Sequence, residues 1–120
     1  MPATLNLITL AAPAPEAERV VAALAAATGT PEPDWYPLVL PDGSTARHWG
    51  IALDAGIEIR VSERPDARDL PRALTLTVSS IAAATERLTT AGFTVIEPEV
   101  LGGKVFVKPV PGFAIRLRES

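Results

Sequence analysis

The 120-residue chain has no cysteine, a single histidine and a single methionine, and only 5 % of its residues are aromatic. Without cysteine there is no disulfide framework, no thiolate nucleophile and no zinc ribbon, and one imidazole leaves any histidine-rich metal site short of ligands. Absence of cysteine-based crosslinks also fits a cytoplasmic location. No stretch is long and apolar enough to cross a bilayer, and Met1-Pro2-Ala3-Thr4 lacks the basic residues of a secretory leader, so no membrane partner is expected. Positive charge is in short supply as well. Eleven Lys and Arg against 14 Asp and Glu give a net charge of −3 and a pI near 5.1, and no nucleic-acid partner is expected from that balance.

What is present is enough for a core. Hydrophobic residues make up 48 % of the chain and the mean hydropathy is +0.23, which excludes intrinsic disorder and suits one small domain.

Residues 5–13 form a short apolar run with Thr, the signature of a buried strand. A helix follows: Pro15 suits a first turn, Glu16 and Glu18 sit at its positive end, and Gly29 stops it. Ala17, Val20, Val21, Leu24 and Ala27 share one face of that helix. Two strands, 35–40 and 46–53, flank the turn signal Pro41-Asp42-Gly43. Then Ile57, Ile59 and Val61 alternate with Glu58, Arg60 and Ser62, the pattern of a strand with one buried face. The charged, proline-bearing stretch 63–72 reads as a linker.

The second half repeats this order. A strand at 73–78, a helix capped by Ser79 or Ser80 with Ile81, Ala84, Leu88 and Ala91 on its apolar face, and strands at 93–96, 105–108 and 113–117 are expected, with a turn at Gly102-Gly103. The repeat shows in the letters too: Gly56-Ile57-Glu58-Ile59-Arg60-Val61 matches Gly112-Phe113-Ala114-Ile115-Arg116-Leu117. The expected organisation is a single α+β domain over 1–120, with one βαβββ module at about 1–62, the linker at 63–72 and a second module at about 73–120.

Element order and local motifs resemble the glyoxalase/bleomycin-resistance/dioxygenase group, the vicinal-oxygen-chelate superfamily. The likeness is carried by Pro13-Ala14-Pro15-Glu16 ahead of the first helix, Gly92-Phe93-Thr94-Val95 after the second, and Phe106-Val107-Lys108-Pro109-Val110-Pro111-Gly112 before the last strand. It spans nearly the whole chain. The resemblance implies two βαβββ modules forming a cupped mixed sheet with helices on the outer face, and a homodimer. For metal-dependent members it implies His or Glu ligands on the inward faces of the first and last strands of each module. The matching positions are Leu7, Arg60, Ala73 and Arg116; Leu and Ala have no lone pair and a guanidinium stays protonated, so neither a metal nor another cofactor is expected.

Arg60 and Arg116 would face one cup, where two guanidiniums repel unless an anion lies between them. They can clamp a carboxylate, phosphate or enolate-like group, or they can be neutralised by Glu58, Glu97 or Glu119. Trp35, Tyr36, His48 and Trp49 gather in the part of the first module that breaks the repeat; they can wall a pocket, plug the hairpin onto the sheet or sit in a subunit interface. His48 is a candidate general base, with Glu58 and Tyr36 as alternative proton carriers. Arg60, Arg116, Leu7, Ala73, Trp35, Trp49 and Thr75 form the candidate ligand-binding set. There is no phosphate loop, nucleophile elbow, paired-histidine helix or dinucleotide fingerprint. The expected function is metal-independent binding of a small anionic organic molecule or antibiotic, as in resistance by sequestration. The alternative is a metal-free isomerase, cyclase or lyase of secondary metabolism that uses the arginines as an oxyanion clamp.

Overall fold

Alternation begins the chain as a strand: in β1 (Leu7–Ala12), Leu10 and Ala12 are buried while Leu7 and Thr9 on the other face are exposed. Pro15 in the first turn lacks only an N–H that a helix start leaves unused, and α1 (Ala14–Thr28) follows with Ala17, Val20, Val21, Leu24 and Ala27 inward. Gly29 ends it in the left-handed region at φ 77°, donating its N–H to the carbonyl of Ala25. The hairpin of β2 (Tyr36–Val39) and β3 (Thr45–Ala52) turns where Asp42 Oδ1 accepts the N–H of Ser44 at 2.9 Å. A single 3₁₀ turn at Asp54–Gly56 leads into β4 (Glu58–Glu63).

The second module contains β5 (Ala73–Val78), α2 (Ile81–Thr90), β6 (Val95–Ile96), β7 (Val105–Val110) and β8 (Phe113–Glu119). Ser80 is the cap of α2, its side-chain oxygen accepting from the N–H of Ala83 at 3.1 Å. The computed structural model describes residues 3, 5–66, 68–97 and 105–120, so the expected turn at Gly102-Gly103 lies outside the described residues. The two modules have the same strand order, β1-β4-β3-β2 and β5-β8-β7-β6, with the first pair parallel and the rest antiparallel. This is the α+β architecture of two βαβββ modules.

Most strand bounds differ from expectation by one or two residues, and two of the differences have a local reason. The strand expected at 93–96 shrinks to Val95–Ile96, because Phe93 is buried, gives its N–H to Leu88 at the end of α2 and lies 4.8 Å beneath the Arg19 guanidinium. β7 runs on through Pro109, whose missing N–H is tolerated at the register shift between Val107 and Val110.

The modules share one core: Leu10, Leu24, Ile59 and Val61 of the first pack in one cluster with Leu88, Phe113, Ile115 and Leu117 of the second. Each such side chain contributes about 1.5–3 kcal/mol by leaving water. Helix α1 spans both halves, touching β1, β3 and β4 as well as α2, β5 and β7. Two arginines tie the modules reciprocally. Arg19 of α1 donates through Nε to the Pro109 carbonyl at 2.8 Å, and Arg87 of α2 donates through Nε to Ala26 at 2.7 Å and through Nη2 to Ala27 at 3.2 Å.

The stretch expected as a linker is strapped down. Glu63 belongs to β4, Asp69 exchanges two backbone hydrogen bonds with Ala11 at 3.0 and 2.8 Å, and Arg68 pairs with Glu16 at 2.9 Å and donates to the Pro111 carbonyl. The helices therefore cover one face of each sheet, and the opposite faces carry the polar chemistry.

Candidate functional site

Register fixes which side chains share the open face of the first sheet. Thr9 lies beside Arg60 and Arg60 beside Gly50; Ala11 lies beside Ser62, Ser62 beside His48 and His48 beside Tyr36. Leu7 belongs to the next row, next to Glu58.

His48 is the unusual member. It is only 6 % exposed, its ring is stacked on Tyr36 with centroids 4.9 Å apart and planes 25° apart, and neither Nδ1 nor Nε2 has a hydrogen-bond partner among the described residues. Burial disfavours the charged imidazolium and holds its pKa below the usual histidine value; nearby Arg60 and Arg64 push the same way, and Glu58 opposes them. A neutral imidazole offers one donor and one acceptor, both unused here.

Arg60 is not an open clamp. Its Nε lies 3.3 Å from Glu58 Oε1 and its Nη2 3.5 Å from Oε2, and the carboxylate raises the Arg60 pKa. Gly50 makes room for this pair, since a Cβ built there would stand 2.5 Å from Glu58 Oε1. Of the alternatives the sequence leaves open for Arg60, neutralisation by Glu58 is the one present.

The second sheet repeats the row with different neighbours: Thr75 lies beside Arg116, Arg116 beside Phe106 and Phe106 beside Ile96. The residue equivalent to Glu58 is Ala114, so β8 offers Arg116 no carboxylate on that face. Glu119 is engaged elsewhere, its Oε1 accepting from the N–H of Ile81 at the start of α2 at 2.9 Å. Glu97 is exposed and lines a separate cleft with Thr85, Thr89 and Phe93.

Two aromatic expectations separate. Trp49 is 5 % exposed, belongs to the shared core and lies 5.0 Å beneath the Arg47 guanidinium; it faces the helix layer and is a core residue, not part of the open-face site. Trp35, just before β2, is 52 % exposed. Ala73 lies beside Ala114, one row from Arg116, as Leu7 is one row from Arg60. Thr9 and Ser62 complete the open face; the sequence places Ser62 on the polar face of its strand without putting it in the ligand-binding set, and it does not single out Thr9. The signal for Thr9 was available, because Ile8-Thr9-Leu10 repeats as Leu74-Thr75-Leu76.

The metal positions implied by the family likeness do not fit a metal. Leu7 and Ala73 carry no donor atom, Arg60 is protonated and paired, and Arg116 is protonated. Among the described residues no group of three or more His, Cys, Asp or Glu gathers to hold an ion.

Where the modules meet, a cleft of about 450 Å³ is lined by Thr75 and Thr77 of β5, by Ala52, Asp54 and Ile57 of the first module, and by Arg87. Its size is that of a pocket for a small organic molecule. Among the described residues no helix is long and apolar enough to cross a membrane.

No family model matches the sequence, and no curated protein matches it. Solved structures do. A glyoxalase/bleomycin resistance protein from Catenulispora acidiphila superposes with a TM-score of 0.64 at 22 % identity, covering 98 % of this chain and 99 % of that one. A fosfomycin resistance protein, FosX, from Listeria monocytogenes, in complex with Mn(II) and 1S,2S-dihydroxypropylphosphonic acid, gives 0.63 at 17 % identity over 98 % and 93 %. An antibiotic binding protein from Streptomyces gives 0.64 at 16 % identity over 98 % and 95 %. At these identities the likeness is one of fold, and the chain has the glyoxalase-like fold those proteins share.

Proposed function

We propose that this chain binds a small anionic organic molecule, an antibiotic being one such class, on the open faces of its sheets without a metal, as a cytoplasmic homodimer of the sequestering type. The observation that carries the reading is His48. A buried imidazole whose two nitrogens have no partner among the described residues costs stability, and it sits beside Tyr36, Ser62 and the Arg60–Glu58 pair on the sheet face opposite the helices. Both nitrogens are shut off from solvent, so a ligand that supplies one donor and one acceptor repairs that deficit once the stacked Tyr36 ring turns aside. The fold it shares with an antibiotic binding protein supports the same reading.

The reading without a metal is supported by the donor chemistry at Leu7, Arg60, Ala73 and Arg116. Elemental analysis of purified protein is expected to find no stoichiometric zinc, nickel, iron or manganese; a stoichiometric ion would overturn this part. The homodimer is supported by exposed apolar side chains on the open faces, Leu7 and Tyr36 of the first sheet and Ile96 of the second. Light scattering is expected to give twice the chain mass.

A second reading is favoured by the neutral state of His48: a metal-free isomerase, cyclase or lyase in which His48 takes a proton, with Tyr36 or Glu58 as the alternative carrier and Arg116 stabilising an oxyanion. The two are separated by His48→Ala. Turnover lost with binding retained makes the protein an enzyme; binding lost with no turnover in the parent makes it a sequestering protein.

A further inference from the structure

Five of the nine arginines of this chain are engaged. Arg19 and Arg87 are bonded to carbonyls across the module boundary, while Arg47, Arg60 and Arg68 are paired with carboxylates. The open face of the second sheet departs from that rule. Arg116 and Arg118 lie two residues apart on one face of β8, roughly 7 Å between their Cα atoms. Lys108 of β7 joins them, its Nζ 5.9 Å from the ring of Phe106, which is the cross-strand neighbour of Arg116. All three side chains are exposed, and among the described residues none is within ion-pair distance of a carboxylate.

Hydroxyls stand beside them. Thr75 is the register partner of Arg116 and Thr77 that of Arg118, and both threonines line the 450 Å³ cleft between the modules. A row of two guanidiniums and an ammonium, flanked by two hydroxyl donors and opening on a cleft, is complementary to closely spaced anionic oxygens. The first sheet cannot play this part, because Glu58 occupies Arg60.

We propose that Arg116, Arg118 and Lys108, with Thr75 and Thr77, form an oxyanion site for a ligand bearing two adjacent anionic groups, whose body extends into the inter-module cleft. This rests on the reading that a small molecule binds the open faces, and it adds the ligand's charge class and its direction. The anionic end binds the second module, leaving His48 and Tyr36 to meet the uncharged part.

The test uses the full chain and inorganic pyrophosphate, followed by isothermal titration and by ¹⁵N amide shifts. Pyrophosphate is expected to bind more tightly than orthophosphate and to shift amides of β5, β7 and β8. The double variant Lys108→Gln/Arg118→Gln is expected to bind it at least about tenfold more weakly, since a charge-assisted contact is lost at each position. Arg72→Gln, which alters the arginine just before β5 outside this row, is expected to leave binding within about twofold. Absence of pyrophosphate binding, indifference of the double variant, an equal loss in Arg72→Gln, or tighter binding of single-stranded RNA than of pyrophosphate would each overturn the site. Failure of the wider reading looks different: no organic ligand competes, yet pyrophosphate still binds and still depends on Lys108 and Arg118.

Discussion

Tyr36 stacks on His48, ring on ring at 4.9 Å, and the two imidazole nitrogens have no hydrogen-bond partner among the described residues. Because burial holds the His48 pKa below 6.5 in the folded chain, the unfolded chain takes up the proton first as pH falls. The stability that goes with the neutral ring is complete above about pH 6.5 and is lost as pH drops towards the folded pKa. Denaturation of the parent and of His48→Phe across about pH 5 to 8 is expected to show this slope only in the parent. The phenylalanine variant is expected to be more stable by about 1 kcal/mol at neutral pH, since it removes the unpartnered nitrogens and keeps the stack. A matching slope in both proteins would show that His48 is not the group responsible.

Removing the stacked ring has the opposite effect on the same imidazole. In Tyr36→Ala the imidazole meets water, its pKa rises towards the usual histidine value, and about 0.5–1.5 kcal/mol of stacking is lost. The histidine ring signals in an NMR titration report the shift directly, and an unchanged midpoint would count against the burial argument.

Gly50 and Glu58 form a pair that can be pulled apart from either side. In Gly50→Ala the new Cβ would meet Glu58 Oε1 at 2.5 Å, so the carboxylate must leave Arg60. In Glu58→Ala the carboxylate is gone, and the strand reads as β8 does around Ala114. Both variants are expected to expose an unpaired guanidinium on the first sheet and to add a weak second pyrophosphate site, visible as amide shifts in β4. Stability is expected to change little, because the pair is more than a third exposed on each side.

Arg87 holds the C-terminal carbonyls of α1 from the other module, and Arg87→Ala is expected to cost about 1–3 kcal/mol in chemical denaturation. Arg19→Ala, which removes the reciprocal tie to Pro109, is expected to cost about as much again, since the ties meet α1 at separate points and share no partner, so the losses should add. A double variant no weaker than either single one would mean that the two are not independent braces.

Most of the fold was legible because both modules obey the same local rules. The alternation of Ile59 and Val61 and the stop at Gly29 depend on neighbours a few residues away and stand where the sequence places them, and the cap of α2 falls on Ser80, one of the two serines the sequence offers. The site was less legible. Whether Trp49 or His48 faces the helices depends on the register of β3 against β4, and a one-residue slip exchanges the two faces. Glu58 was one of several carboxylates available to Arg60, and only the space above Gly50 shows why it is the one that pairs. The cationic row on the second sheet escaped notice because Lys108 and Arg118 flank the repeat motif instead of falling inside it.

The divergence of one equivalent pair, Glu58 and Ala114, has a consequence for orientation. Exchanging the two letters, Glu58→Ala with Ala114→Glu, leaves composition and net charge as they are but moves the quenching carboxylate from one sheet to the other. Such an exchange frees Arg60 and quenches Arg116, but Ser62 stands where the second sheet has Arg118 and Ala11 where it has Thr77, so the first sheet gains only part of the site. The exchanged protein is expected to hold anions weakly at both ends, a chain without a preferred direction.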